Sequence, residues 1–211
     1  MTPTALIIVL AVAGGLLPAL LWLWFWLRED RAHPEPKILI VTTFFLGALS
    51  IIPVYFIEQT VANFTGFTLT GQNWLNLILL WAFIEEGVKY LVARISVFRT
   101  SSFDEPIDAM IYLITIALGF AAAENALFMV SAFLGSGADA GAFWLTGNLR
   151  FIGATLIHVV SSAVVGSSIA IGFCHPTKRR EQLVLGLVTA TLLHSLFNYF
   201  ILVTTDENIL K

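Results

Sequence analysis

Eight side chains in this sequence are of types that do chemistry and stand where the chain is otherwise apolar: Glu85, Glu86 and Lys89; Glu124 and Asn125; His158; and His194 with Asn198. Glu85 and Lys89 are four apart and Glu86 and Lys89 three apart, so on a helix the ammonium reaches either carboxylate along one face. His194 and Asn198 are also four apart, as are His158 and Ser162. Three carboxylates and one ammonium cannot all remain ionised in a medium of low dielectric. A carboxyl that exchanges its proton readily is a general base for water, and its conjugate acid then protonates a leaving group. The imidazoles can orient that water or stabilise an oxyanion, and Asn198 can donate to the same oxygen. Such a set would serve peptide hydrolysis.

A metal version stays open. Two neutral imidazoles and a carboxylate make a three-ligand zinc site with one position left for water. Ligands on separate helices leave no local spacing that decides for or against His158 and His194 in that role. The H-E-x-x-H pattern of zinc proteases is absent, as is a Gly-x-Ser-x-Gly nucleophile turn. Asp104 and Asp108 fall at or beside the edge of an apolar stretch, so no aspartate pair lies within one.

The elements that must position these groups follow from composition. The 211 residues are 58% apolar and 12% charged, with a mean hydropathy of +0.87. Soluble domains carry about a quarter charged residues, so a soluble fold and a disordered chain are both excluded. Six apolar stretches are legible: Thr4–Leu27, Ile38–Ile57, Trp74–Arg94, Ile107–Phe133, Phe151–Cys174 and Gln182–Val203. Each meets the roughly 20 residues a helix needs to cross the hydrocarbon. The alternating segments of about ten residues that a membrane β-barrel needs do not occur. The expected fold is an all-α, polytopic bundle of about six transmembrane helices, forming one domain over residues 1–211. Pro53 and Pro106 are expected near span ends, where a kink matters little.

The first stretch lacks a basic leader and runs through Trp22, Trp24 and Trp26 to Arg28, which reads as a retained helix with an interfacial aromatic belt. Arg28, Arg31, Lys37, Arg94, Arg99, Lys178, Arg179 and Arg180 all fall at odd-numbered connections. Only Arg150 and Lys211 fall on the other side, which places both termini outside the cell membrane. The single cysteine, Cys174, permits no intramolecular disulfide, and a net charge of −3 argues against a nucleic-acid partner.

The bilayer makes the eight polar residues informative. A charged side chain at mid-membrane costs about 2.5–3.5 kcal/mol on insertion scales, and such residues face one another inside a bundle. A single Glu–Lys pair or membrane histidine can be structural glue. Four spans each delivering polar groups to a shared depth exceed what glue requires.

The residues also resemble a known family. Glu85-Glu86-Gly87-Val88-Lys89 is similar to the E-E-x-x-K motif of the PrsW family of intramembrane proteases. Phe120 through Glu124-Asn125 resembles its second motif, His158 falls where the third places a histidine, and His194 through Asn198 resembles its H-x-x-x-N. The stretch Phe103–Tyr112 is similar to the family's entry into the second motif helix, with Ala109 in place of the expected glycine. The likeness covers about residues 74–203, leaving 4–27 and 38–57 as accessory helices.

The resemblance implies a wider clan that includes the Ras-converting CAAX endopeptidases. It implies Glu85 as catalytic base, with Glu86 and Lys89 holding its position and charge. Glu124 and His158 would complete the water site, His194 and Asn198 would donate to the oxyanion, and Asn125 would support them. It further implies a single-pass membrane substrate, a membrane-anchored anti-sigma factor being the associated class, cut near its outer end. A proton- or cation-coupled transporter could use the same carboxylates. No inverted repeat or matched pair of broken helices supports that reading. A scaffold that binds single-pass helices through the polar cleft is the third possibility.

Overall fold

The computed structural model describes the backbone of residues 3–29, 33–135 and 140–209, and the side chains of 5, 8–28, 33–131 and 153–203. Arg31, Lys211 and the side chain of Arg150, all used above to orient the chain, lie outside the described residues. Seven α-helices are present among the described residues, and no strand: α1 (Pro3–Glu29), α2 (Lys37–Leu49), α3 (Ile51–Thr65), α4 (Trp74–Ser96), α5 (Asp108–Gly135), α6 (Ala140–Cys174) and α7 (Arg179–Ile209). A short 3₁₀ turn, Pro176–Lys178, joins the last two.

Helices α2 and α3 form one span of 29 residues, Lys37–Thr65. The break at Ser50 is a local fault: Ser50 keeps a right-handed helical backbone, and its N–H still bonds back to Leu46 and Gly47. Pro53, with no N–H to give, interrupts the ladder just beyond it. The proline therefore sits mid-span, not near a span end, because the span runs on to Thr65 instead of stopping at Ile57. Five of the six spans are long and apolar enough to cross a membrane by length and composition alone. The sixth, α4, is the one that carries Glu85, Glu86 and Lys89.

This is an all-α polytopic membrane bundle, and its solvent logic is that of lipid. Phe45, Phe56, Phe83, Leu91, Leu185 and Phe200 point outward, while Glu86, Lys89, His158 and His194 are buried. A helix buried all round is a central one, and α5 fits that description from Ile111 to Ala122. Helices α1, α2 and α6 pack against it.

Packing in lipid depends on close approach through small residues. At the α2–α5 crossing, a Cβ on Gly47 would strike the Ile116 carbonyl, and one on Gly119 would strike that of Phe44. Gly15 makes a similar approach to Ala122, and Gly166 to Met110. The two sides of α5 are thereby fixed within a backbone's width of their neighbours.

The end of the bundle that carries Arg28, Lys37, Arg99 and Lys178, here the basic end, is tied together by polar contacts. Asp108 Oδ2 accepts from the backbone N–H groups of Asp104 and Glu105 at 3.0 and 2.7 Å, fixing the turn that enters α5. The Tyr112 hydroxyl donates to Glu35, and His33 contacts Glu105. Just inside, Ile40, Ala93, Val97, Tyr112, Ile116, Val165 and Ala190 form an apolar core.

Candidate active site

The register of neighbouring helices brings the polar residues to one depth. Helices α6 and α7 run antiparallel, with Gly153 beside Phe197, His158 beside His194, and Ser168 beside Gly186. Helices α4 and α7 are also antiparallel: Trp74 stacks on Tyr199 at 5.7 Å, and three turns on, Glu86 meets His194. Phe120 of α5 lies edge-on to His158, with ring centroids 5.3 Å apart.

Within this frame the charges form a continuous network. Lys89 Nζ donates to Glu86 Oε1 at 2.8 Å and to His158 Nδ1 at 2.8 Å, and it lies 4.7 Å over the Phe120 ring. His158, which accepts from the ammonium, carries its proton on Nε2 and donates it to Glu124 Oε2 at 3.0 Å. His194 donates from Nδ1 to Glu86 Oε1 at 2.9 Å, with Nε2 turned towards Glu85. These tautomers follow from the partners, since an ammonium only donates and a carboxylate accepts.

Glu85 stands differently from Glu86. Its Oε2, like Glu86 Oε2, has no hydrogen-bond partner, but it lies 3.8 Å from His194 Nε2, 3.9 Å from His158 Nδ1 and 3.7 Å from Lys89 Nζ. Glu86 commits one oxygen to both the ammonium and an imidazole, and that oxygen is fully buried. A buried carboxylate oxygen within 4 Å of two imidazole rings is placed to receive a proton or a cation.

The other residues singled out from the sequence take lesser places. Asn125 is buried, but its Nδ2 donates to Thr155 Oγ1 at 3.1 Å, tying α5 to α6 beside the cluster. Asn198 is half-buried one turn beyond His194 on α7, outside the hydrogen-bonded network. Sequence reasoning missed Glu58. It lies on the inward face of α3 with Val54, Val61 and Ala62, close enough for its charge to act on Glu85, Glu124 and Lys89. A span ending at Ile57 leaves Glu58 outside it, whereas the inward-facing period continues to Thr65.

Glu85, His158 and His194 each offer a ligand atom, and the three atoms lie within 4.8 Å of one another. The donor set fits a divalent metal of the zinc type, with two imidazoles, one carboxylate and an open side. His194 is oriented as metal-bound histidines are, its Nδ1 held by the Glu86 carboxylate. His158 is not, because Lys89 occupies its nearer nitrogen. Binding there requires the ammonium to swing off His158 while keeping Glu86.

Comparison with known proteins shows the family. A family model described as "PrsW family intramembrane metalloprotease" matches residues 35–209, taking in α2 and α3 as well as the four motif-bearing helices. "Protease PrsW" of Bacillus subtilis (strain 168) is 26% identical over 190 residues, covering 90% of this chain and 82% of the relative. The proteins of the same name from Oceanobacillus iheyensis and Clostridioides difficile (strain 630) are 25% and 26% identical, over 90% and 85% of this chain and 82% and 74% of their own lengths. No solved structure matches.

Proposed function

Since the chain belongs to the PrsW family of intramembrane metalloproteases and is an intramembrane protease, we propose that Glu85 is the residue at which its hydrolytic water is activated. The observation that carries this is the buried, unbonded Glu85 Oε2 facing both His158 and His194. The family likeness supports proteolysis and gives no support to the transporter reading.

Water between Glu85 and the imidazoles would give its proton to the carboxylate as its oxygen bonds to the peptide carbonyl carbon. The same proton would then pass to the amide nitrogen as the C–N bond breaks. General base catalysis of this kind contributes about 10²–10⁴ in rate. Glu86, balanced by Lys89, holds His194 in one tautomer. Glu124 does the same for His158. Asn198, one turn outward, is within reach of a substrate oxygen held beside His194. A zinc ion bound by Glu85, His158 and His194 would supply Lewis-acid polarisation of the water or the scissile carbonyl. The two schemes give Glu85 different work, as base or as ligand.

The chain acts as a single transmembrane domain in the cell membrane, with the basic end in the cytoplasm and both termini outside. Glu124, whose side chain is 18% exposed against 1% for His158, marks the open side of the site. That side faces away from the basic end. It supports a single-pass membrane protein, an anti-sigma factor being one class to try, cut nearer its outer end. The test is cleavage of a single-pass reporter by purified protein in lipid. Glu85→Gln should insert and purify normally yet lose turnover; retained turnover removes Glu85 from the reaction. Chelation, followed by zinc, separates the two schemes.

A further inference from the structure

Membrane serines and threonines ordinarily bond back to their own helix, and here Thr43, Thr115, Ser167 and Ser195 do so. Ser161, Ser162 and Thr191 do not. They are 0%, 1% and 5% exposed, and none of the three hydroxyls has a hydrogen-bond partner in the protein. Their positions are related. Ser161 and Ser162 straddle the His158 direction one turn towards the basic end of α6, and Thr191 lies one turn towards it from His194 on α7. The α6–α7 register that pairs His158 with His194 therefore brings these hydroxyls to one level of the bundle. The Glu86–His194 contact brings the Lys89 backbone to the same level.

A buried hydroxyl left without a partner is destabilising, and three in one layer are a standing demand for donors and acceptors. A buried water needs two to four polar partners, which this layer supplies. Beneath it, Val165, Ala190 and Ile116 belong to the apolar core. Above it, exposure rises from Lys89 at 1% to Glu85 at 9% and Glu124 at 18%. Side-chain exposure thus increases from the apolar core towards Glu124.

We propose that Ser161, Ser162 and Thr191 form a water-binding floor beneath the histidine pair, an internal hydration site filled from the Glu124 side. That the held water supplies hydrolysis rests on the proteolytic reading; that it is held does not.

X-ray radiolytic labelling of the full chain in lipid nanodiscs tests this, because bound water generates hydroxyl radicals beside it. Phe120, fully buried against His158 and Lys89, should be labelled in the unaltered protein. An unlabelled Phe120 overturns the proposal without recourse to any variant. In a Ser161→Ala, Ser162→Ala, Thr191→Val protein the label should fall at least about threefold, since the floor's partners for water are gone. Thr191→Ser should keep it. Undiminished labelling in a folded triple variant overturns the site. With a cleavable reporter, kcat should fall with KM unchanged. A raised KM at unchanged kcat would mean the hydroxyls hold substrate backbone, which also overturns it. Labelling that behaves as expected in a protein without peptidase activity keeps the hydration site and discards the proteolytic reading.

Discussion

His194 donates a hydrogen bond from Nδ1 to Glu86 at 2.9 Å, and by doing so turns its Nε2 towards Glu85, 3.8 Å away. The two adjacent glutamates are thereby divided in function by one imidazole. Glu86 is bound on its ring side and by Lys89, whereas Glu85 meets the free side of the ring. Successive residues on a helix point about 100° apart, which is why neighbours of identical chemistry can occupy such different places.

This division predicts opposite stability effects for the two amides. Glu86→Gln leaves the buried Lys89 without its closest anion, and breaking a buried pair in this way costs about 3–5 kcal/mol. The variant should unfold at lower temperature in detergent and lose cleavage together with it. Glu85→Gln removes a buried charge that has no hydrogen bond, so its melting temperature should hold or rise while cleavage is lost. Equal destabilisation by both variants would contradict the assignment.

Lys89 predicts a measurable coupling. Lys89→Met alone strands Glu86 in an apolar setting and should destabilise strongly. Combined with Glu86→Gln, the loss should be less than the sum of the single changes by about 0.5–3 kcal/mol, as for residues sharing one network. A double-variant cycle by thermal or chemical unfolding gives the number. Strict additivity would mean that the 2.8 Å contact contributes nothing.

The four motif-bearing helices were legible because lipid turns each charge into an exception, so Glu85, Glu86, Lys89 and Glu124 stood out before any contact was known. The division of labour between Glu85 and Glu86 was not legible. It depends on which side of the His194 ring each meets, and that is a matter of helix register between α4 and α7, which periodicity within one helix does not carry. Glu58 was hidden for a simpler reason. A charged residue after an apolar run looks like the end of a span, and only the packing of α3 against α4 and α5 keeps it inside. The central place of α5 was likewise not visible, since an apolar helix facing lipid and one facing other helices share a composition.

Metal content gives a third expectation. Purified in the presence of zinc, the protein should hold metal that His194→Ala loses, as measured by elemental mass spectrometry. Glu86→Gln, which frees His194 to adopt the other tautomer, should weaken retention about 10–100-fold, the usual effect of losing the partner that orients a ligand. Asn125→Ala, whose side chain bonds Thr155 and not the cluster, should leave retention unchanged. Equal metal content in all four proteins would argue for the glutamate-only scheme.

Two glycines test whether the positions of these groups depend on the α5 crossing. A Cβ on Gly119 would collide with the backbone carbonyl of Phe44, and backbone cannot rotate aside as a side chain can. Gly119→Ala should therefore push α2 from α5, at a cost of about 1–3 kcal/mol as overpacking, and shift Phe120 out of line with His158 and Lys89. Cleavage should fall with it. Gly87 sits within the E-E-x-x-K motif itself, but a Cβ there meets nothing within 4 Å. Gly87→Ala should be neutral or stabilise by up to about 1 kcal/mol through helix propensity. Melting temperatures and reporter turnover of the two variants check this together. If Gly87→Ala abolished activity while Gly119→Ala did not, the open side of α4 would be a substrate contact and the crossing would not govern the site.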